Sequence, residues 1–595
     1  MGSPLPTHRL IHEKLGVLLG LPVFASDAIS SVAYATDEII IGLAVAGAAG
    51  LAYSVPVALA IVVIMILVSS SYQQVIKAYP EGGGAYTVAK ENLGRTAGLV
   101  AGAALLVDYI LTVAVSVASG IDNLVSAVPA LANHHLLLSV GGILFLTWLN
   151  LRGVRESARV VALPIYIFIA SVTGLILLGG YRVLTHQFQP LPLPQLQVQH
   201  QLSAYTVLHA FASACVALTG IEAVSNGVQA FREPHVRNAR ITMALLALIL
   251  ATFFFGIVSL TRAYQVVPVL GTETSFSKLG HLIYGGGVLY YVLQLSTLII
   301  LLLAANTSFQ DFPRVARLLA RDGFLPRQLA NLGDRLVFAN GIGLLGAIAI
   351  ALVLAFRGST HALIPLYAIG VFLSFTLSQI GMVRRWVKLQ PPGWWISVIF
   401  NAAGAFGTAV VLCVVTASKF MGGAWMVCIA VPSLVRLFSR IRKHYDAVAK
   451  ELTLEGFLPP RQGMTTVLIV PVASLHRGTV MALTYAKGMG VPVRAVHVVV
   501  DEDQFRSLQE RWKQWEPDLP LIGLPSPYRS LTAPIAEYAS SLRLQFDTVT
   551  VLIPQFIVPQ AWEELLHNQS AIMLNFALRH LHGVNILHFR YQIHT

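Results

Sequence analysis

The sequence predicts an all-α polytopic membrane protein with twelve transmembrane helices, followed by an α/β domain. Three observations carry this prediction. Of the 595 residues, 55% are hydrophobic and only 11% are charged, whereas soluble domains carry about 25% charged residues. Apolar runs long enough to cross a hydrocarbon core, about 20 residues, recur up to residue 440. Beyond residue 446 short strand-like and helix-like stretches alternate instead, the pattern of a mostly parallel sheet layered with helices.

The apolar segments lie near 15–45, 51–75, 94–121, 137–152, 158–181, 204–231, 243–264, 284–312, 334–356, 361–384, 395–416 and 421–437. The first is read as a membrane segment rather than a cleaved leader, because it contains acids and lacks a small-residue cleavage pattern. Lysines and arginines fix the expected orientation. With the N-terminus inside, cytoplasmic loops hold 23 of them and external loops 5. Basic residues concentrate on the cytoplasmic side, so both termini are expected inside a cell inner membrane or plasma membrane.

The net charge of +12 has the same origin. Residues 1–445 hold 28 Lys/Arg against 15 Asp/Glu, and residues 446–595 hold 12 against 13. The excess belongs to membrane loops, and no nucleic-acid partner is expected. Cys215, Cys413 and Cys428 all sit in apolar stretches. They form no cysteine framework or cysteine-rich metal site, and no transition or divalent metal is expected.

The chain divides into a membrane domain, 1–445, and a cytoplasmic domain, 446–595. In the latter, "TTVLIVPV", "VPVRAVHVVV", "FDTVTVLIPQF" and "GVNILHFRYQI" read as strands. "RGTVMALTYAKGM", Phe505–Trp515 and Trp562–Leu581 read as helices. No phosphate-loop pattern follows the first strand, where "PVASLHRGT" carries one glycine. This domain is expected to regulate or assemble, not to catalyse, although parallel-strand ends leave room for a nucleotide regulator.

Ionisable groups deep in a membrane segment are costly and mark function. Segment 1 carries Asp27, with Ser31 and Tyr34 on the same helical face and a break expected at the serine pair. Segment 3 carries Asp108, Thr112 and Ser116 at four-residue spacing, with Tyr109 beside the first. Segment 6 carries Thr219, Glu222 and Asn226, with Gly220 as an unwinding point. No lysine or arginine lies near these acids in their segments. Oxygen ligands of this kind suit a hard monovalent cation or a proton relay. Glu222 is assigned to proton coupling, because burial favours its neutral form and a nearby cation opposes that effect. Asp37 and Glu38 are placed nearer the external mouth. "YPEGGGAYTVAKENLG" is placed on the cytoplasmic side, and its three consecutive glycines are read as a tight or re-entrant turn of an inner gate. "NTSFQDFPRVARLLARDGFLPR" is read as the end of segment 8 plus an amphipathic helix, its arginines facing headgroups or solvent.

At "SSVAYATDEI", "YPEGGGAY", the 306–327 stretch and the glutamate-bearing segment 6, residues 10–440 resemble the amino acid–polyamine–organocation superfamily, and within it the KUP-like branch of bacterial potassium importers. The resemblance implies a LeuT-type core of two inverted five-helix repeats, segments 1–5 and 6–10. It also implies potassium–proton symport and a homodimer assembled through the C-terminal domains. Carried onto this sequence, the potassium positions are Asp27, Tyr34, Asp108, Thr112, Ser116 and Thr219, and the gates are Tyr109 and Tyr367. Amino acid permeases of the superfamily hold a substrate carboxylate at a glycine-rich break in segment 1. Here that place reads "AISSVAYA" after Asp27, which would repel a carboxylate. Potassium uptake is therefore the expected function, with K⁺ and H⁺ as cargo and no cofactor. A proton-coupled amino acid permease and a non-transporting sensor are the rivals.

Overall fold

The computed structural model describes residues 14–82, 84–153, 158–192, 201–268, 273–331, 338–453, 463–526, 530–557 and 569–592. Two compact units result, Met1–Leu452 and Thr453–Thr595. The first unit runs beyond residue 445 because its last helix continues as an amphipathic stem to Leu452.

The helices of the first unit are α1 (Val17–Ser30), α2 (Val32–Ala44), α3 (Gly47–Leu51), α4 (Ser54–Ala78), α5 (Gly84–Leu93) and α6 (Arg95–Ala127). Next come α7 (His135–Leu151), α8 (Ala158–Leu184), α9 (Ala204–Ala214), α10 (Ala223–Asn226), α11 (His235–Ala263) and α12 (Ser275–Tyr284). The unit ends with α13 (Val288–Arg321), α14 (Ala339–Ala355), α15 (Thr360–Leu389), α16 (Trp394–Lys419) and α17 (Trp425–Leu452). Among the described residues, 10 helices are long and apolar enough to cross a membrane. One of them, Trp394–Leu452, joins α16 and α17 through a kink at Gly423, where φ is 116°. The α14 helix is a shorter apolar helix at the ninth expected segment.

Burial separates inner from outer helices. Asp108, Thr112, Ser116 and their apolar neighbours bury α6, and α15 is buried from Leu363 to Phe372. By contrast α7 exposes Leu137, Leu144 and Phe145, as a lipid-facing helix does. Gly370 brings α15 against α6, since a Cβ there would lie 3.2 Å from the Ala104 carbonyl. Small residues at such crossings let backbones approach in a bilayer.

A turn does stand at the first of the three glycines, where the Gly82 N–H donates to the Tyr79 carbonyl (3.0 Å), and "GAYTVAKENL" then forms α5, since most of its residues favour a helix. Gly83 lies outside the described residues. One local expectation is corrected: the 306–327 stretch is not a separate surface helix, because α13 runs unbroken through Pro313 to Arg321. Its arginines Arg314 and Arg317 are exposed, as expected, while Arg314 also pairs with Asp311 at 3.0 Å and Arg317 lies over the Phe338 ring.

The second unit is a parallel sheet of β1 (Thr466–Pro471), β2 (Val493–Val499), β3 (Leu521–Pro525), β4 (Thr548–Ile557) and β5 (Val584–Gln592), in the order β3-β2-β1-β4-β5. Helices α18 (Arg477–Gly488), α19 (Glu502–Trp515), α20 (Ala533–Leu542) and α21 (Gln569–Leu578) connect the strands. Side chains alternate between faces along a strand. Val467 and Ile469 accordingly join a core with Ile535 and Leu574, while Leu468 and Val470 join one with Leu483 and Trp512. The strand "LIGLP" and helix α20 are additional to the sequence reading, which lacked a signal in so short an apolar run. The expected helix from Trp562 has its described part at Gln569–Leu578, and residues 562–568 lie outside the described residues.

Candidate functional site

The sixth apolar segment, unlike α6, does not stay helical. After α9 comes a 3₁₀ turn, Cys215–Leu218, then Thr219 in extended conformation and Gly220 at φ 77°. A left-handed residue with no Cβ is needed there: a Cβ on Gly220 would stand 2.7 Å from Asp27 Oδ2 and 2.8 Å from the Ala28 nitrogen. The unwound strand of segment 6 therefore lies directly on α1 at its acid.

The break in segment 1 is milder than expected. Only Ser31 separates α1 from α2, and it keeps helical angles. The Ser30 hydroxyl donates to the Asp27 carbonyl (2.8 Å) and the Ser31 hydroxyl to that of Ala28 (2.6 Å), with the Ala217 carbonyl 3.2 Å away. Serine hydroxyls thus occupy the carbonyls at the expected break.

Asp27, Asp108 and Glu222 come together from α1, α6 and the segment 6 break. They are 6%, 2% and 3% exposed and lie close enough for their charges to act on one another. None makes an ion pair among the described residues, and Asp27 Oδ1, Asp108 Oδ1 and Glu222 Oε2 have no hydrogen-bond partner. Like charges buried in one low-dielectric cluster repel more strongly than in water. A bound cation or a proton relieves this repulsion.

Hydroxyls complete the surroundings. Thr112 donates to the Asp108 carbonyl (3.0 Å) and lies 2.9 Å from the Tyr367 hydroxyl. Tyr34 faces Thr219 and Tyr367, so both tyrosines meet the same cluster. Thr219 Oγ1 donates to its own backbone at Val216 (2.9 Å). Ser116 is buried one turn beyond Thr112, its hydroxyl without a partner. The Tyr109 hydroxyl accepts from Asn226 at 3.2 Å.

At Asn226 the glycine turn closes on segment 6. Cβ atoms on Gly82 and Gly84 would lie 2.7 and 2.8 Å from the Asn226 carbonyl and Oδ1. The same end is sealed by Phe24 stacked on Phe231 (5.2 Å) and by Leu15 bonded through its backbone to Ala230 and Arg232 (2.8 Å each). Asp322, just past α13, accepts from Tyr86 and from Lys90 (2.5 Å). Burial pushes the Tyr86 phenol well above its ordinary range, which keeps it a donor.

Two features were not singled out from the sequence. Asp311 on α13 lies near enough to act electrostatically on Asp27, Glu222 and Tyr109. In sequence it forms an (i, i+3) pair with Arg314 and reads as an ordinary surface pair. His361 reaches Glu38 at 2.6 Å across the opposite end of the bundle, a pairing that no local spacing announces.

Residues 19–435 match the family model described as amino acid permease, and residues 464–591 match the KimA potassium transporter C-terminal domain. The chain is 42% identical to the potassium transporter KimA of Bacillus subtilis (strain 168), over 97% of this chain and 96% of that protein. It is 23% identical to the low-affinity putrescine importer PlaP of Escherichia coli (strain K12), over 56% of this chain and 74% of that one. These relatives are transporters, not enzymes. Apolar spans, a buried acidic cluster and matches over both units lead to one assignment: this multi-pass membrane protein belongs to the amino acid permease family of the amino acid–polyamine–organocation superfamily, in the group that carries a KimA-type C-terminal domain.

Proposed function

We propose that this protein takes up potassium across the cell membrane by alternating access, as a K⁺/H⁺ symporter. The observation that carries this reading is the convergence of Asp27, Asp108 and Glu222 with unpartnered oxygens and, among the described residues, no ion-paired base. Similarity to a potassium transporter over nearly the whole chain supports the same substrate. Asp27, Tyr34, Asp108, Thr112, Ser116 and Thr219 form the potassium site. Glu222 carries the coupled proton: it is loaded together with K⁺ from outside, and it releases the proton with the cation on the cytoplasmic side, where the charge of the bound cation opposes its neutral form. Tyr367 and Tyr109 gate the site toward opposite sides.

The same reading takes twelve crossings in two inverted five-helix repeats, with α14, α16 and α17 each crossing once and both termini cytoplasmic. It takes a homodimer joined through Thr453–Thr595 and a nucleotide regulator on that unit. An organic cation is the second reading, favoured by the similarity to a putrescine importer, because acids at the site would tolerate an amine.

Purified full-length protein in liposomes separates these readings. Saturable uptake of K⁺ and Rb⁺, weak competition by Na⁺ and no uptake of lysine, arginine, glutamate, alanine or putrescine is the expected result. Saturable uptake of one of the organic solutes, indifferent to excess K⁺, would replace potassium by that solute. Absence of all transport, with a ligand bound by the C-terminal unit, would make the protein a sensor.

A further inference from the structure

Beyond the central site, the end of the bundle opposite Phe24 and Phe231 holds a cavity of about 350 Å³. Tyr34 forms part of its lining, and Tyr34 also faces Thr219 in the central site. The two spaces are therefore neighbours in series. Asp37 and Glu38 of α2, Asp122 of α6, and His135, Thr360 and His361 supply its polar wall.

Asp37, Glu38 and Asp122 each have at least one oxygen occupied by the protein. Asp37 Oδ1 accepts the Ser275 backbone N–H (3.0 Å). Asp122 meets His135 at 2.9 Å and accepts the Thr360 hydroxyl at 2.6 Å. Glu38 Oε1 meets His361 Nδ1 at 2.6 Å. The other Glu38 oxygen, Oε2, is different. It is fully buried, has no partner, and belongs to a residue that is 3% exposed and lines the cavity. A buried carboxylate oxygen without a partner is costly, and a structural ion pair with His361 does not account for it.

Charge around the cavity favours a cation. Of the bases in its wall, only Arg357 is permanently charged. Glu273, also in the wall, is held by Lys278 at 4.0 Å, which leaves Asp37, Glu38 and Asp122 facing one guanidinium and the imidazoles of His135 and His361. Lys419 approaches Glu38 from α16 but is not in the wall. No three acidic, histidine or cysteine groups converge as a metal set among the described residues. A single free carboxylate oxygen beside hydroxyls suits a monovalent ion rather than a divalent one.

We propose that this cavity is a second, entry-side monovalent-cation site, anchored by Glu38 Oε2 and placed in series with the Asp27 site. It rests on the potassium reading above. A staging site that holds a partly dehydrated ion next to Tyr34 raises the local cation concentration at the central site, and sites in series bind well enough to load yet release onward.

The test counts Rb⁺ bound per chain on purified full-length protein by equilibrium dialysis with radioactive rubidium, alongside Rb⁺ uptake in liposomes. Glu38→Gln keeps the side-chain volume and a hydrogen-bonding group for His361. It should bind one Rb⁺ fewer per chain than the unaltered protein, with half-saturation of uptake raised about tenfold. Asp37→Asn retains an acceptor for Ser275 and should raise the same half-saturation in the same direction. It serves as the second variant if Glu38→Gln folds poorly by size-exclusion profile. Unchanged Rb⁺ stoichiometry and half-saturation in a folded Glu38→Gln or Asp37→Asn protein would overturn the entry site while leaving the central potassium site intact. An unaltered protein that binds no Rb⁺ would overturn both readings.

Discussion

Gly220 rests against Asp27 so closely that a single methyl group at residue 220 would stand 2.7 Å from the carboxylate Oδ2. The unwound stretch of segment 6 and the acid of segment 1 are thereby one structural unit. Any change at Gly220 moves Asp27.

Gly220→Ala should therefore impair transport without touching a charged group. Alanine at a φ of 77° costs about 1–2 kcal/mol by backbone conformation alone, and its Cβ displaces the carboxylate as well. Rb⁺ uptake in liposomes should fall about tenfold or more, with the purified protein still monodisperse. Full activity in that variant would mean that the contact is irrelevant to ion binding.

Asp27→Asn removes the negative charge and retains the shape. Rb⁺ binding at the central site should be lost and uptake in a potassium-transport-deficient host should collapse. Binding measured by dialysis at unaltered affinity would take Asp27 out of the site.

Glu222→Gln fixes a neutral side chain at the proposed proton carrier. Potassium-driven proton movement, followed with a pH dye inside liposomes, should disappear even where some K⁺ exchange persists. Proton flux that still tracks the potassium gradient would assign coupling to another group, with Asp311 the next acid to examine.

At the basic end, Asp322→Asn should weaken the hold that Lys90 and Tyr86 share (2.5 Å for Lys90). The Lys90 and Asp322 side chains are 40% and 31% exposed, and an ion pair of this kind contributes about 1 kcal/mol or less. A modest gating shift follows, not unfolding. A cysteine at Asn226 in a cysteine-free background should then react several-fold faster with a water-soluble maleimide. An unchanged rate would show that this contact does not guard the path.

Orientation has its own check. Cysteine probes in the loop 182–203 should label from outside intact cells, and probes at 232–240 only after the membrane is permeabilised. External labelling at 232–240 would invert the topology.

Much of this was legible from residue order alone. Membrane insertion follows from local apolar content, because every backbone group in lipid must be satisfied within its own helix, and apolar runs report that directly. Asp27, Asp108 and Glu222 stood out for a related reason: an isolated charge in such a run is expensive wherever the fold carries it. The alternation of strands and helices after residue 446 came from local periodicity too, although the short strand Leu521–Pro525 and helix Ala533–Leu542 left too weak a pattern to read.

Contacts between distant segments were decided only by the tertiary structure. The pairing of Gly220 with Asp27, of His361 with Glu38 and of Asp322 with Lys90 joins residues more than 190 positions apart. No local spacing encodes such a meeting. The serine hydroxyls of Ser30 and Ser31 show the same limit on a smaller scale, since they occupy the Asp27 and Ala28 carbonyls that their sequence had marked only as a break. Hydrophobicity acts without direction and is readable one residue at a time. Which buried oxygens remain free for a cation depends on three-dimensional hydrogen-bond satisfaction, which exists only once the helices have packed.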